Sequence, residues 1–242
     1  MKIIAVIPAR YEASRFPGKL MEILGDRTVI STTYKNVVET GLFAEVFVAT
    51  DSDIIFNEII AAGGKAIRTG AHETGSDRIA EAVQDVDCDI VVNVQGDEPF
   101  LKTEPLHQLI SVFQEDKDEQ ISLASLKIKL SDREEIESPN NVKVITDQFN
   151  FALYFSRSVI PFAREEGIVI NYYKHVGVYA FRKKTLLAFA EMPQRPLEQA
   201  EKIECLRYLE YGMKIKMVET DFVGVGIDVP ADLEKARTLI KS

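Results

Sequence analysis

The sequence is poor in cysteine, lacks tryptophan and has no long apolar run. Its two cysteines, Cys88 and Cys205, lie far apart in the 242 residues, which excludes a disulfide framework and a metal site built on paired cysteines. No apolar run approaches the about 18 residues that cross a bilayer, and the first run is too short for a secretory signal. We therefore expect a cytoplasmic protein that does not bind membranes.

The sequence is also short of positive charge, with 29 Lys and Arg residues against 38 Asp and Glu residues and a formal net charge of −9. Binding along a nucleic-acid backbone depends on many cations facing the phosphates, so we expect no nucleic-acid partner. One local basic pocket for a small anion is compatible with this balance. The phosphate-loop pattern GxxxxGK[ST] and the dinucleotide pattern GxGxxG are missing, which disfavours ordinary NTPases and dehydrogenases.

The first half of the chain alternates apolar runs with amphipathic patterns. This alternation predicts an α/β fold with a mostly parallel sheet flanked by helices. The predicted strands are Ile3–Ile7, Glu45–Ala49 and Asp89–Val94, and the predicted helices are Val29–Glu39, Ile54–Ala62 and Ser76–Val83.

The second half has strand-like segments without full helices between them, which predicts a smaller α+β lobe. These segments are Ile121–Lys129, Val142–Ile145, Phe151–Phe155 and His175–Phe181, and the helices predicted after them are Leu197–Tyr211 and Pro230–Ile240. At 242 residues, the chain is predicted to form one domain. We assign about 1–120 and 183–242 to its core and about 121–182 to the smaller lobe.

The first apolar strand is followed directly by cations, in the stretch IPARYEASRFPGK. Ligands of open parallel sheets bind beyond the carboxyl ends of the strands, where this stretch begins. Arg10, Arg15 and Lys19 carry guanidinium and ammonium groups that hold a polyphosphate through charge-assisted hydrogen bonds. Considered alone, these cations fit surface ion pairs with Asp and Glu about as well as they fit a polyphosphate site.

Two aspartates stand where strands are predicted to end, Asp97 in VVNVQGDEPF and Asp228 in GVGIDVPADL. Magnesium prefers carboxylate oxygens that it shares with substrate phosphates. Taken singly, each aspartate is better explained as a helix cap or turn residue. Together with the N-terminal cations, however, they form the minimal set for magnesium-assisted transfer between phosphates, which favours a functional role.

The stretch AHETGSDRIAE begins a predicted helix. Thr74, Gly75 and Ser76 are placed to hold a nucleobase or phosphate through backbone and hydroxyl groups. An N-cap followed by an acidic residue in the first turn explains the same residues without a ligand, and we favour that interpretation for the stretch alone.

Two later stretches carry polar residues for a second, acidic substrate. Arg157 and His175 are suited to bind a carboxylate and hydroxyl groups, although a histidine among apolar residues is more often a core residue. In LEQAEKIECLRYLEYG the charged residues have helical spacing and also fit a solvated, paired helix face. These charged residues are Glu198, Glu201, Glu204 and Arg207.

Taken together, these stretches resemble the CMP-KDO synthetases, or 3-deoxy-manno-octulosonate (KDO) cytidylyltransferases, over essentially the whole chain. The motifs that carry the resemblance are IPARYEASRFPGK, VATDSD, HETGSDRIAE, VVNVQGDEP, SPNNVKV, ALYFSRSVIP, KHVGVYAF, PLEQAEKIECLR and GIDVPADLEKA. The resemblance implies a nucleotidyltransferase-type, Rossmann-like fold, a smaller lobe for sugar binding and dimerisation, a homodimer, and magnesium as cofactor. The implied reaction joins CTP and KDO into CMP-KDO for lipopolysaccharide synthesis and releases pyrophosphate.

The resemblance also implies roles for individual residues. Lys19, Arg10 and Asp97 would be catalytic, and Asp97 and Asp228 would bind magnesium. The triphosphate would lie against Arg10, Ser14, Arg15 and Lys19, the cytidine against Thr74, Gly75, Ser76 and Gln95, and the sugar against Arg157, His175, Tyr179, Glu204 and Arg207.

Departures from the family pattern fall on the sugar side. Cys205 stands where the family usually has Gln, and Lys174 precedes His175 where Arg is common. The segment between IPF and YYKH is also short. Because Cys cannot make the hydrogen bonds of Gln, 8-amino-KDO or another acidic sugar is an alternative substrate. A catalytically silent nucleotide-binding protein is the alternative from a different class.

Overall fold

The computed structural model describes residues 1–12, 15–72, 74–165, 167–222, 224 and 226–240. Strands and helices alternate in the first half of the chain, as predicted. The chain forms two compact units, Met1–Leu106 with Gly224–Ser242, and His107–Val223. The strands are β1 Ile3–Ala9, β2 Ile23–Leu24, β3 Arg27–Thr28, β4 Glu45–Thr50, β5 Ala66–Arg68, β6 Ile90–Asn93, β7 Leu123–Leu130, β8 Lys143–Thr146, β9 Ala152–Ser156, β10 Tyr172–Arg182 and β11 Ile215–Glu219. The helices are α1 Val29–Glu39, α2 Asp53–Ala61, α3 Gly75–Val83, α4 Thr103–Glu115, α5 Arg133–Glu137, α6 Lys183–Ala190, α7 Pro196–Glu201, α8 Cys205–Glu210 and α9 Pro230–Ile240.

The first unit contains a parallel sheet in which β1 lies between β6 and β4, and β5 pairs with β4. Residues 4–7 of β1 are completely buried, as expected for a central strand covered on both faces. Helix α3 packs on β1 and β4, while α1 and α2 pack on β4. This arrangement confirms the predicted α/β architecture and places the carboxyl end of β1 beside that of β4.

Three helices of the first unit begin at a hydroxyl cap. The Oγ1 atom of Thr28 accepts from the Ser31 N–H, and that of Thr74 accepts from the Asp77 N–H. Ser52 caps α2 in the same way. Such caps satisfy a backbone donor that the first turn leaves without an intrahelical partner, which is why these helices begin at these residues.

The second unit is built mainly from antiparallel pairs. Strand β7 pairs antiparallel with β10 and parallel with β11, and β8 pairs antiparallel with β9 and β10. Its core holds the buried rings of Phe155, Phe181, Phe189 and Tyr208. The Phe189 and Tyr208 rings stack with their centroids 4.1 Å apart. The mixture of antiparallel strands and short helices agrees with the predicted α+β character.

The predicted helix Leu197–Tyr211 is wrong, because two helices, α7 and α8, occupy this stretch. Lys202 adopts a left-handed conformation with φ 54° and ψ 46°, and its N–H bonds to the Glu198 carbonyl and ends α7. Helices α4, α5 and α6 and strands β2, β3, β5 and β11 were not predicted. Since α6 packs on β10 and β11 pairs with β7, residues 183–222 belong to the second unit rather than to the predicted core. Over the residues that the structure describes, no helix is long and apolar enough to cross a membrane.

Candidate active site

The segment after β1 turns back and brings Lys19 to the carboxyl edge of the sheet. The Gly18 N–H donates to the Tyr11 carbonyl at 2.9 Å, and Gly18 has φ 73°, a left-handed conformation that favours glycine. Lys19 then begins a short 3-10 helix whose Leu20 is buried. The Lys19 side chain is only 12% exposed, so its ammonium group is held in place.

Asp97 and Asp228 are far apart in the sequence but lie beside the same ammonium group. The Ile227 N–H donates to the Asp97 carbonyl at 2.9 Å, which joins the two loops next to the aspartates. The Lys19 Nζ atom bonds to Asp97 Oδ2 and lies 3.2 Å from Asp228 Oδ1. Two carboxylates thus converge on one cation, which the spacing of the motifs did not show.

The hydrogen bonds at the start of α9 show whether the Asp228 side chain caps the helix or is directed towards the cleft. The N–H groups of Asp228 and Val229 both donate to Asp232 Oδ2 at 3.1 Å, and these bonds lower the Asp232 pKa. Asp228 directs its own carboxylate towards Lys19 and towards Arg15, whose Nη2 lies 2.9 Å away. Arg15 and Lys19 do form ion pairs, but their partners are the two predicted magnesium ligands.

These side chains line a cleft of about 240 Å³ beyond β1 and β6. At Gly96, an added Cβ would lie 3.1 Å from Ile30 Cδ1 and 3.4 Å from the Pro8 carbonyl oxygen, so a larger residue would disturb this end of the cleft. The charged lining residues, which we call the cleft cluster, are Arg10, Arg15, Lys19, Asp97 and Asp228.

A second cleft, of about 170 Å³, shares Pro8, Arg10 and Gln95 with the first and therefore adjoins it. The structure places Thr74 and Gly75 in its wall. Thr74 is both the cap of α3 and a lining residue, so its two interpretations are compatible. Ser76 is buried in α3 at 2% exposure, and predicted site residue Ser14 lies outside the described residues.

The sequence analysis missed His72 and Arg78, which also line the second cleft. The buried Arg78 donates to Asp51 Oδ2 at 3.0 Å and to Thr69 Oγ1 at 2.7 Å. His72 bonds to Glu81, and this contact together with the Gly70 N–H lowers the Glu81 pKa. The sequence did contain one signal for Arg78. Arg78 lies one helical turn after the capping Thr74 in the same motif, and this spacing places both residues near the start of α3.

In the second unit the structure brings His175, Tyr179 and Glu204 close together. The His175 and Tyr179 ring centroids are 5.4 Å apart, and the neighbouring charge of Glu204 contributes to a raised Tyr179 pKa whose main cause is burial. Tyr179 also hydrogen-bonds to the Cys205 thiol, whose pKa burial raises to about 12. At neutral pH the phenol and the thiol therefore both keep their protons.

His175 has the surroundings of a core residue. Its Nε2 atom lies 2.9 Å from Ser125 Oγ, and its ring meets the Phe155 ring edge-on at 5.0 Å. Burial lowers the imidazole pKa to about 4, although the residue as a whole is half-buried. The side chain is consequently neutral at pH 7 and is suited to hydrogen bonding rather than to charge pairing.

The two predicted sugar-binding arginines have extensive contacts within the protein. Arg207 is 4% exposed and makes a two-pronged ion pair with Glu198, with both N–O distances 2.6 Å. Arg157 donates from Nε to the Glu201 carbonyl at 2.7 Å and from Nη1 to the Pro139 carbonyl at 3.0 Å. The solvated, paired helix face considered for this region is therefore wrong for Glu198 and Arg207, which form a buried pair.

Comparison with known proteins extends these observations. A family model described as Cytidylyltransferase matches residues 4–215. A 3-deoxy-manno-octulosonate cytidylyltransferase of Flavobacterium johnsoniae is 59% identical over 242 residues, covering 100% of this chain and 99% of the relative. A protein of the same name from Christiangramia forsetii is 59% identical over 240 residues, covering 99% of this chain and 97% of the relative.

Solved structures agree with these sequence matches. A CMP:2-keto-3-deoxy-manno-octonic acid synthetase complexed with CTP has a TM-score of 0.93 at 38% identity, with 100% of this chain and 99% of that chain covered. A 4-diphosphocytidyl-2C-methyl-D-erythritol synthase from Anaerococcus prevotii has a TM-score of 0.66 at 19% identity over 100% of this chain and 99% of that chain, which shows a shared fold alone. The chain therefore belongs to the 3-deoxy-manno-octulosonate cytidylyltransferases, a family of nucleotidyltransferases.

Proposed function

We propose that this chain transfers CMP from CTP to the anomeric hydroxyl of KDO, releases pyrophosphate, and so activates the sugar acid for lipopolysaccharide synthesis. The observation that carries the proposal is the cleft cluster, in which Lys19 lies between Asp97 and Asp228 at the carboxyl edge of a parallel sheet. The 59% identity to a 3-deoxy-manno-octulosonate cytidylyltransferase supports the choice of substrates.

The two adjoining clefts divide the nucleotide between them. The triphosphate would bind in the first cleft, where Arg10, Arg15 and Lys19 supply positive charge, and Ser14 of the same segment would assist. The cytidine would bind in the second cleft. Its proposed contacts, from the capped start of α3 and the end of β6, are Thr74, Gly75, Ser76 and Gln95.

Asp97 and Asp228 have the chemistry to hold magnesium. Their carboxylates already converge on one cation, the Lys19 ammonium, so the position between them is electrostatically suited to positive charge. Among the described residues, no three His, Cys, Asp or Glu side chains gather into a metal cage, and an ion shared with phosphate oxygens needs no third protein ligand. Bound magnesium would offset charge on the α-phosphate and on the departing pyrophosphate.

The residues of the cleft cluster would act by positioning and electrostatics. The anomeric hydroxyl of KDO attacks the α-phosphorus and gives up its proton to solvent, a new P–O bond forms to the sugar, and the bond to the β-phosphate oxygen breaks as pyrophosphate leaves. Lys19 and Arg10 stabilise the negative charge that develops on the transferring and leaving oxygens. Direct attack needs no protein nucleophile, so orientation of the two substrates supplies much of the rate.

The proposed sugar site lies in the second unit. His175, which is neutral there, and Tyr179, which keeps its proton, would hydrogen-bond sugar hydroxyls, and Glu204 lies beside Tyr179. Among the described residues, the acceptors of Arg157 take three of its five N–H groups, so two remain for the sugar carboxylate. Arg207 completes the proposed set, and its ion pair with Glu198 would orient this region.

A homodimer and a cytoplasmic location are further parts of the proposal. Large apolar side chains are exposed on the second unit, as expected for a surface that a second copy covers. These side chains are Phe149, Leu153, Phe162, Ile168 and Val169. Sedimentation would test the dimer, since a monomer at micromolar concentration would contradict it.

The deciding experiment is pyrophosphate release with CTP and magnesium, adding KDO and 8-amino-KDO separately at matched concentrations. Preference for KDO supports the proposal as stated. Preference for the amino sugar would make Cys205 and the short segment before Tyr172 candidate specificity determinants. Release with neither sugar would contradict the proposal and favour another acidic sugar or a silent nucleotide-binding protein.

A further inference from the structure

Lys143, at the start of β8, is a charged residue with no exposed surface. Its Nζ atom donates to three backbone carbonyl oxygens, those of Arg157 at 2.6 Å, Asn141 at 2.7 Å and Ser138 at 2.8 Å. An ammonium group has three donors, so these carbonyls satisfy all of them. Burial lowers the Lys143 pKa, and the nearby charge of Glu201 opposes that change.

Burying an ammonium group costs desolvation free energy. Its desolvation costs more than that of an apolar side chain of the same size, and an apolar replacement is often neutral or stabilising once partners are removed with it. At this site the partners are backbone carbonyls, which no side-chain replacement removes. Lys143 therefore fixes the turn at residues 138–141 against the end of β9, where Arg157 lies.

Arg157 contacts the same turn through its own side chain. Its Nη1 atom donates to the Pro139 carbonyl, while Nε and Nη2 donate to the carbonyls of Glu201 and Lys202 at 2.7 and 3.4 Å. Its backbone is held as well, because its N–H donates to Glu201 Oε2 at 2.9 Å and its carbonyl accepts from Lys143. The direction of the Arg157 guanidinium thus depends on the turn and on the backbone that Lys143 holds.

We infer that Lys143 is a positioning residue for the sugar acid, acting through Arg157. The inference rests on the proposed function, in which Arg157 binds the sugar carboxylate, and assigns Lys143 the task of fixing the Arg157 backbone. Lys143 itself has no exposed surface and does not contact the substrate. Its loss weakens sugar binding and leaves CTP binding intact.

The first test replaces the ammonium by an apolar group of similar length, Lys143→Met, and measures KM for CTP and for KDO separately, together with the melting temperature. We expect KM for KDO to rise by roughly 10- to 100-fold, because small misplacement of a binding group has effects of that order. KM for CTP should stay within about twofold. The melting temperature should fall, since three buried carbonyls lose their donor.

Lys127 provides the matched control. It is a second buried lysine of the same unit, 2% exposed, and its Nζ donates to Asn150 Oδ1 at 2.8 Å and lies 4.3 Å from the centre of the Tyr173 ring. Lys127→Met should also lower the melting temperature but should leave KM for KDO unchanged. Equal KM changes in both variants would make the Lys143 effect a general loss of stability and would overturn the inference.

A double-mutant cycle tests whether Lys143 acts through Arg157. If it does, Arg157→Met should raise KM for KDO strongly in the wild-type background and only slightly in the Lys143→Met background. Independent, multiplicative effects would overturn the inference. Should Lys143→Met fail to fold, Lys143→Gln, which keeps an amide donor, takes its place under the same criteria.

The failures of the two proposals are distinguishable. Wild-type protein that releases pyrophosphate with no sugar acid contradicts the proposed function, and the inference falls with it. Active wild-type protein combined with an unchanged KM for KDO in Lys143→Met contradicts the inference alone.

Discussion

The cleft cluster of the first unit and three buried cationic side chains of the second unit differ in how far they are open to a ligand. In the cleft cluster of the first unit, the Arg15 and Asp228 side chains are 67% and 48% exposed. In the second unit, Lys127, Lys143 and Arg207, which we call the buried cations, are at most 4% exposed. We expect the ion pairs of the cleft cluster to be exchangeable, because an incoming phosphate or metal ion can replace either partner, and we expect the buried cations to act as fixed parts of the scaffold.

The largest effect is expected from the carboxylates of the open cluster. Asp97→Asn or Asp228→Asn should lower turnover by roughly 10³-fold, because each change removes a charged oxygen ligand from the proposed magnesium site. Turnover is measured as pyrophosphate release at saturating CTP. Asp26→Asn, a change in an exposed pair with Arg27, is the control and should have no effect. Near-normal turnover in both site variants would show that these ion pairs are structural.

Lys19 tests whether the open ion pairs are exchangeable. Lys19→Met should lower turnover by roughly 10²-fold, since one charge-stabilising group is lost. It should also tighten Mn²⁺ binding in the absence of nucleotide, because the ammonium no longer competes for Asp97 and Asp228. Titration with Mn²⁺ followed by magnetic resonance measures this without relying on activity. Weaker metal binding, or a collapsed melting temperature, would place Lys19 in the scaffold instead.

A buried pair should respond in stability rather than in nucleotide binding. Glu198→Gln leaves the Arg207 guanidinium without its carboxylate in a buried site, and should lower the free energy of unfolding by about 3 kcal/mol. Urea unfolding measures the change, with Glu191→Gln at the exposed end of α6 as the control. CTP affinity at low temperature should be unaffected. An unchanged urea midpoint would mean that the pair is not a fixed part of the scaffold.

The parts of the structure that the sequence predicted are those set by local sequence features. Strong periodicity predicted the bounds that α1 and α9 have in the structure. The motifs also predicted Asp97 and Asp228 as a functional pair, but that both carboxylates lie beside Lys19 came from the structure alone. Local pattern carries such information because caps, strand ends and apolar faces are short-range features. The roles of Arg10, Ser14 and the other proposed ligands stay predictions.

Features that depend on long-range packing were not predictable. The break between α7 and α8 occurs at Lys202, which adopts a left-handed conformation. Glycine at this position would have indicated a helix end, but lysine does not. The Glu198–Arg207 pair spans nine positions across that break, so helical spacing could not indicate it. Lys143 lies in the predicted strand Val142–Ile145, and its burial was not predictable because its partners are backbone carbonyls that carry no sequence signal.

The smallest effect concerns His175, a neutral member of the second unit. Burial lowers its pKa to about 4 in the folded chain, against about 6.5 when unfolded. Between these values the unfolded chain binds the extra proton, so the stabilisation is present above about pH 6.5 and is lost as the pH falls towards 4. His175→Gln should therefore reduce the pH dependence of the unfolding free energy between pH 7 and pH 4.5 by about 1–3 kcal/mol, measured in urea. Parallel curves for the variant and the wild type would mean that the imidazole is accessible to protons in the folded chain, and that this part of the second unit is as open as the cleft cluster.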